Sequence, residues 1–312
     1  MHERATDEIY EELRPLLFSI AYRMIGSVGE AEDIVQEAFL RYHRAQSEGD
    51  EIESPKAFLS TVTTRLSIDY LRSARAQREE YVGEWLPEPL LTDPDADTAQ
   101  HAETADSLSL AFLVLLESLT PVERAVFLLH DVFGYGYDQV SDVVGKSEDN
   151  TRQLAVRARR HVDDQRPRFE ASREERQRLA DRFFDAVEDG DTDGLVGLLA
   201  HDVVVYGDGS REGPAWRRPI YGRDNVSRLL LGLGNQLIMA GATFRRTEIN
   251  GQPGALFLDR EGHLISIFSL DVADGTVQTI RSIANPEKLA HLGPVADVRA
   301  LLREIQDARG PD

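Results

Sequence analysis

Apolar residues recur at helical spacing through the first quarter of the chain and predict three helices. The first spans Ile9 to Met24, and the second runs from about Gly29 to Ala45. The third begins at Ser54-Pro55, where serine can cap the helix and proline suits the first helical position, and ends near Arg78. Residues 1–80 are therefore predicted to form one small helical domain.

The third helix carries a basic stripe on its predicted outer side. Its predicted inward residues are Phe58, Leu59, Val62, Leu66 and Tyr70. Its predicted outward residues are Thr61, Thr64, Arg65, Ile68, Arg72 and Arg75. The arginines, with Arg78, favour contact with a nucleic-acid backbone, although a solvated helix face shows the same pattern.

An acidic segment follows this domain. No Lys or Arg occurs between Arg78 and Arg124, and the segment contains Pro87, Pro89 and Pro94. Its acidic residues include Glu84, Glu88, Asp93, Asp95, Asp97, Glu103 and Asp106. This composition predicts an extended acidic linker over residues 81–105.

Residues 106–165 follow the pattern of a second helical domain. Thr120-Pro121 begins a helix, and glycines at 134 and 136 interrupt the chain before a short helix from Tyr137 to Val144. Gly145 makes a tight turn, and Ser147 caps a last helix that runs to about Val162. Helix, short glycine-containing turn and helix is typical of a helix-turn-helix.

The last helix of this domain has a small inner face and a basic outer face. The inner residues are Thr151, Ala155, Ala158 and Val162. The residues that point elsewhere include Arg152, Gln153, Arg157, Arg159 and Arg160. Arginine and glutamine can pair with guanine and adenine edges in the major groove, but a solvated face with arginines would look the same.

From about residue 172 the pattern changes to an α+β domain. An amphipathic helix with Leu179 and Phe183 precedes a second short helix and four apolar, strand-like runs. Asp274-Gly275 between the last two runs predicts a hairpin turn. Polar residues that could line a pocket are Tyr206, Asp208, Tyr221, Asp259 and His263. An acid beside a histidine can serve as a general base, but a fold alone does not assign catalysis, and we expect none.

Composition narrows the function classes. The net charge of −20 argues against unassisted binding to nucleic acid, so any DNA contact needs local basic patches or a partner. The chain has no cysteine, no Walker loop and no histidine pair at metal-ligand spacing, so we expect neither metal nor cofactor. It also lacks an apolar run of membrane-spanning length, and its charged first residues do not resemble a signal peptide. We therefore expect a cytoplasmic protein with no membrane contact.

Several segments together resemble the extracytoplasmic-function (ECF) sigma factors of bacterial RNA polymerase. The similar segments, in order within residues 8–165, are Ala31–Leu40, Ala57–Leu59, Ile68–Arg72, Leu119–Arg124, Val144–Glu148 and Arg157–Arg159. The resemblance implies that Asp33, Gln36 and Glu37 bind the beta-prime clamp of core polymerase, and that the second domain meets the beta flap. It also implies that Arg65, Arg72 and Arg75 contact the promoter −10 element. The −35 element would be bound by Lys146, Ser147, Asn150, Arg152, Gln153 and Arg157.

Further segments resemble the sigma-J-type group, in which a SnoaL-like (NTF2-like) cone is fused to the sigma factor. They are Trp85–Pro89 and Asn285–Leu289, with the cone expected at residues 172–290 and a tail at 291–312. Asp208-Gly209-Ser210-Arg211 stands where that group carries Asp-Gly-Gly-Gly-Lys. The resemblance implies an intramolecular regulatory contact between the C-terminal domain and the sigma domains. Its implied residues are Trp85, Pro87, Pro89, Asp208, Gly209, Asn285, Pro286 and Lys288.

The resulting prediction is a multidomain sigma factor, with two all-α domains followed by an α+β cone that modulates activity in a direction left open. One alternative is a one-component helix-turn-helix regulator whose last domain senses a small ligand. Another is a polyketide-cyclase-type enzyme with a helical appendage. Binding to core polymerase distinguishes the first prediction from both alternatives.

Overall fold

A computed structural model describes residues 2–78, 84–92, 107–165, 171–209, 218–298, 300, 301 and 303. The chain divides into two compact units. One contains residues 1–80 and 112–166, and the other contains residues 81–111 and 167–312. Among the described residues, no helix combines the length and apolar character that a membrane crossing requires.

Three helices open the first unit, as the periodicity predicts. They are α1 (His2–Ile25), α2 (Val28–Glu48) and α3 (Pro55–Arg78). The hydroxyl of Ser27 caps α2 by accepting a hydrogen bond from the Glu30 N–H, and Gly49 ends it with a φ of +89°. Leu17, Val35 and Leu59 are fully buried between the three helices.

The helix-turn-helix is also present. Its elements are α4 (Leu110–Leu116), α5 (Pro121–Phe127), a π-helical turn (Leu128–Val132), α6 (Tyr137–Val144) and α7 (Glu148–Gln165). Thr120 and Glu123 form a reciprocal capping box at the start of α5. Gly145, with a φ of +64°, ends α6 in the left-handed conformation that glycine adopts without strain.

The outer face of α3 differs from the prediction. Thr64 and Ile68 were expected to face outward, and this expectation is wrong, because both are buried. Helix α3 packs against α5 and α6 as well as against α1 and α2, so it has apolar neighbours on two sides. The Thr64 hydroxyl is satisfied by donating to the Ser60 carbonyl at 2.8 Å.

The second unit combines helices with a seven-stranded sheet in the order β1-β4-β5-β6-β7-β2-β3. The strands are β1 (Leu91–Thr92), β2 (Leu199–Asp208), β3 (Ile220–Tyr221), β4 (Thr243–Ile249), β5 (Gln252–Leu258), β6 (Leu264–Ala273) and β7 (Thr276–Ile283). The helices are α8 (Arg173–Asp189), α9 (Thr192–Leu198), α10 (Arg223–Met239) and α11 (Pro286–Leu289). This helix-plus-sheet domain after two helical modules confirms the predicted fold class.

The sheet is antiparallel except where β2 runs parallel to β7. The β6–β7 hairpin turns at Asp274-Gly275, whose φ angles of 51° and 68° are both positive, as the sequence signal predicts. Register shifts interrupt β2, β5 and β6 at their pairings. Such bulges bend and twist strands, which suits a sheet that curves around helices.

Aromatic rings fill the space between α8, α10 and this sheet. The rings of Phe184, Phe244, Phe257 and Phe268 follow one another at centroid distances of 5.9, 5.7 and 4.6 Å. The cavity that remains beside them is about 10 Å³. One water molecule needs roughly this volume, so the space does not admit an organic substrate.

Candidate functional site

The solvent face of α2 presents the residues implied in polymerase binding. Asp33 and Gln36 are exposed, while Glu37 is half-buried and accepts a hydrogen bond from the Arg41 guanidinium at 2.7 Å. Leu40, one further turn along the same face, is 57% exposed. Leu40 was not among the predicted site residues, although its spacing of seven from Asp33 places it on this face.

The arginines of α3 differ in the groups that they contact. The Arg65 guanidinium donates to the carbonyls of Val143 and Asp142 at 2.9 and 2.7 Å. These carbonyls belong to the C-terminal end of α6, where a cation is favourable to the helix dipole. Arg72 is exposed and pairs with Asp69 at 3.3 Å, and the side chain of Arg75 lies outside the described residues.

Small residues place α7 close to its neighbours. Thr151, Ala155 and Ala158 are fully buried, and Val162 is nearly so, which confirms the predicted inner face. The opposite face is open, and the exposed side chains of Arg152, Gln153, Val156 and Arg157 lie together on it. The exposed face of α7 is therefore open to solvent, and an α-helix has a width that fits the major groove of DNA.

Val156 is a member of this face that the prediction omitted. Its side chain is 62% exposed between the predicted Arg152, Gln153 and Arg157. An exposed β-branched residue in the middle of a polar helix face is the sequence signal that could have identified it. Apolar contacts of this kind suit the methyl group of thymine.

Two arginines of α7, Arg152 and Arg159, differ in their electrostatic contacts. Arg152 pairs with Glu148, and this hydrogen bond raises the pKa of the Arg152 guanidinium. The same group lies 5.0 Å from the centre of the Tyr137 ring. Arg159 donates to Asp131 at 2.6 Å and to the Tyr137 hydroxyl at 3.1 Å. The bond to Asp131 raises the Arg159 pKa, and these contacts give Arg159 a structural role.

Three predicted polar residues lie at the start of α7. Lys146, Ser147 and Asn150 are all exposed. The Ser147 hydroxyl caps the helix by accepting from the Asn150 N–H at 3.4 Å. Free N–H groups at a helix start attract phosphate oxygens, so this end is suited to a DNA backbone.

In the second unit, the linker residues Trp85 and Leu86 contact the C-terminal domain through a buried ion pair. Lys288 Nζ lies 2.6 Å from Asp208 Oδ2, and the two side chains are 9% and 0% exposed. The same Asp208 oxygen accepts a hydrogen bond from the Leu86 N–H at 2.7 Å. Lys288 also donates to the Leu86 carbonyl and lies 4.5 Å from the centre of the Trp85 ring. We call this arrangement the linker clasp.

The surrounding predicted residues support the clasp. Pro87 and Pro89 are buried, and since proline has no N–H, burying them leaves no donor unpaired. Asn285 caps α11 by accepting from the Glu287 N–H at 3.1 Å, with Pro286 as the first helical residue. Gly209 is buried after Asp208, whereas Ser210 and Arg211 lie outside the described residues.

A second anchor of the linker was missed by the prediction. Linker residues Leu91 and Thr92 form β1, which pairs with the edge strand β4. Asn250, fully buried at the β4–β5 turn, exchanges two hydrogen bonds with Leu90, each 2.8 Å long. An Asn-Gly turn is the visible signal, but nothing in the sequence indicates that a distant linker pairs there.

The remaining polar candidates of the C-terminal domain do not form one pocket. Asp259 and His263 share the β5–β6 turn with Glu261. One carboxylate oxygen of each acid and one ring nitrogen of His263 lie within 4.8 Å of one another. Asp259 accepts from the N–H groups of Glu261 and His263 at 2.9 and 2.8 Å. Burial raises the pKa of Asp259, but these hydrogen bonds together lower it by more than burial raises it. The net shift of this pKa is therefore downward. Tyr221 is 60% exposed on β3, and neither Asp259 nor His263 lines the aromatic cavity.

Comparison with known proteins gives a consistent result. Residues 9–77 match the family Sigma-70 region 2, and residues 109–162 match Sigma-70, region 4. The chain is 38% identical to the ECF RNA polymerase sigma factor SigJ of Mycobacterium tuberculosis, covering 93% of this chain and 95% of that protein. It is 33% identical to the probable ECF sigma factor SigI of the same species, over 88% and 92% of the two chains. The crystal structure of M. tuberculosis SigJ superposes with a TM-score of 0.72 at 37% identity, over 92% of this chain and 99% of that one.

Proposed function

We propose a specific role for the exposed faces of α2, α3 and α7, because this chain belongs to the ECF RNA polymerase sigma factors. As a sigma factor it binds core RNA polymerase and promoter DNA. The solvent face of α2, with Asp33, Gln36 and Glu37, binds the beta-prime clamp, and the second helical module meets the beta flap. The exposure of this acidic face beside the apolar Leu40 supports the assignment. Because core polymerase is cytoplasmic, we expect the protein to act there.

Reversing the charge of Asp33 is expected to weaken core binding. Asp33→Arg places a like charge against a basic partner surface, and we expect at least a roughly tenfold loss of affinity, about 1.4 kcal/mol. Fluorescence anisotropy of labelled protein titrated with core polymerase measures this. Asp202→Arg, at an exposed position of β2, is the matched control. Equal affinities for the two variants would contradict the role of the α2 face.

The exposed face of α7 reads the −35 element, and the arginines of α3 contact the −10 element. The exposure of Arg152, Gln153, Val156 and Arg157 side by side on one face of α7 supports the first assignment. Arg65 would have to exchange its two carbonyl partners on α6 for DNA before it could contact a promoter. The −10 role therefore implies that α3 and α6 separate when the promoter is bound.

The C-terminal domain modulates the sigma factor through the linker and has no enzymatic role. The linker clasp supports this proposal, because a buried ion pair between β2 and α11 holds both polar groups of the Leu86 backbone. The aromatic filling of the cavity supports it as well, because it excludes a substrate from that space. The acidic segment after the clasp would run toward the transcript channel, where its charge resembles that of a nucleic acid.

In vitro transcription tests this proposal. Core polymerase and a promoter template are combined with the full chain, with a chain truncated after Pro167, and with Lys288→Met. The variant Lys288→Met removes the ammonium of the clasp and keeps the C-terminal domain in the chain. A change in transcript yield of the same sign in both altered proteins supports modulation through the clasp. Unchanged yields in both would refute it.

A further inference from the structure

One buried side chain joins the two ends of the acidic segment. The Asn250 N–H donates to the Leu90 carbonyl, and Asn250 Oδ1 accepts from the Leu90 N–H, both at 2.8 Å. Asn250 Nδ2 donates to the Leu108 carbonyl at 2.9 Å. Leu90 and Leu108 flank the acidic residues 93–106, so these hydrogen bonds close that part of the chain into a loop at its base.

Asparagine is specifically suited to this position. Its φ of 53° is left-handed, a conformation that asparagine adopts more readily than other side-chain-bearing residues. Its side-chain amide has an acceptor oxygen and a donor NH2 group, so it imitates a peptide group and can bond Leu90 and Leu108 at the same time. Next to it, the Gly251 N–H donates to the Thr92 hydroxyl at 3.0 Å, which adds a contact at the same end.

The closed loop shortens the tether between the two helical modules. About 30 residues separate the end of α3 at Arg78 from the start of α4 at Leu110, and fully extended they would span roughly 100 Å. With Leu90 joined to Leu108, about half of these residues lie inside the loop. The tether that remains can span at most roughly 50 Å.

We propose that Asn250 is a latch that sets the working length of this tether. Closed, it holds Leu90 and Leu108, which flank the acidic segment, together at the C-terminal domain. Open, it returns the stored residues to the tether, so that both modules can engage the polymerase together. The inference rests on the proposed binding of both modules to core polymerase, and it adds the residue that controls their reach.

Substitutions at Asn250 test the latch without reference to function. Asn250→Gly keeps a backbone suited to positive φ and removes both side-chain hydrogen bonds. Asn250→Asp keeps the acceptor for the Leu90 N–H but loses the donor to Leu108. We expect hydrogen exchange at the Leu90 amide of the full chain to rise about tenfold or more in Asn250→Gly, and much less in Asn250→Asp. Unchanged exchange in Asn250→Gly would refute the latch.

Two insertions of one Gly-Ser sequence separate tether length from other effects. The first, after Asp97, lies inside the latched loop, and the second, after Glu80, lies outside it. In the natural chain, only the outside insertion is expected to lengthen the tether and tighten core binding, by roughly tenfold. With Asn250→Gly present, which should itself tighten binding by a similar factor, the two insertions are expected to act alike.

Binding to core polymerase is measured by fluorescence anisotropy, with the dye on a single introduced cysteine, because the chain has none of its own. Equal effects of the inside and outside insertions in the natural chain would overturn the latch. Failure of every protein to bind core polymerase would instead overturn the proposed function, and the exchange measurement at Leu90 would still decide whether the Asn250 side chain holds Leu90.

Discussion

Replacing Lys288 with alanine is expected to lower the free energy of unfolding of the C-terminal unit by about 3–5 kcal/mol. The side chain of Asp208 is fully buried, and it forms an ion pair with Lys288. Removing the ammonium takes this ion pair away from a buried carboxylate. The Leu86 carbonyl and the Trp85 ring lose their contacts in the same step. Urea denaturation of the full chain, followed by circular dichroism, measures the loss.

Three variants separate charge from packing at the clasp. Lys288→Met keeps most of the apolar stem, so a loss close to that of Lys288→Ala would assign the effect to the charge. The double variant Lys288→Met with Asp208→Asn removes both charges and is expected to regain part of the stability. Lys56→Ala, at an exposed lysine of α3, should cost less than about 1 kcal/mol. If Lys288→Ala cost no more than Lys56→Ala, the clasp would not be a desolvated ion pair.

Elements with a local chemical cause were predictable from the sequence. The capping residues Ser54, Thr120 and Ser147 each accept a hydrogen bond from a backbone N–H of the first turn. The left-handed Gly145 and the Asp274-Gly275 turn were recognisable because their backbone angles suit few residues. In each case the signal and the structure lie within a few residues, so no distant part of the chain can change the outcome.

Elements decided by distant partners were not predictable. Strand β4 has few apolar residues, with Phe244 half-buried and Ile249 fully buried, and it was missed because its pairing with β5 supplies the order. Helix α10 was missed too, since Gly232 and Gly234 weaken its helical propensity. Thr64 was placed on the wrong side because periodicity identifies one apolar face and not a helix packed on two sides. Asn250 belongs to the same class, because its partners Leu90 and Leu108 are far away in sequence.

The candidate site shows the same division. The outer and inner faces of α7 follow from spacing alone, and the structure agrees with them. The partners of Arg65 and Arg159 do not follow from spacing. Arg65 donates to a carbonyl of α6, and Arg159 donates to Asp131 in the π-helical turn before α6. A basic stripe in a sequence thus identifies arginines that are able to contact DNA. It does not identify those already used to join helices.

The double substitution of Arg152 and Arg157 with alanine is expected to reduce transcription from a −35-dependent promoter by roughly 30-fold to roughly 20,000-fold. Each lost base contact costs about 1–3 kcal/mol, and a tenfold change corresponds to about 1.4 kcal/mol. Both guanidinium groups lie on the exposed face of α7, where neither is needed to bury the inner residues. Run-off transcription with saturating sigma factor measures the effect, and circular dichroism checks that the helix persists.

The control removes one arginine elsewhere, half of the charge that the double variant removes. Arg228→Ala, on the solvent side of α10, lies outside the helix-turn-helix and should leave transcription unchanged. Promoters with single base changes in the −35 element then separate two kinds of contact. Loss of a base contact should relax specificity at one position, whereas loss of a phosphate contact should weaken all promoters alike and flatten the salt dependence. Equal transcription by the double variant and Arg228→Ala would exclude Arg152 and Arg157 from promoter recognition.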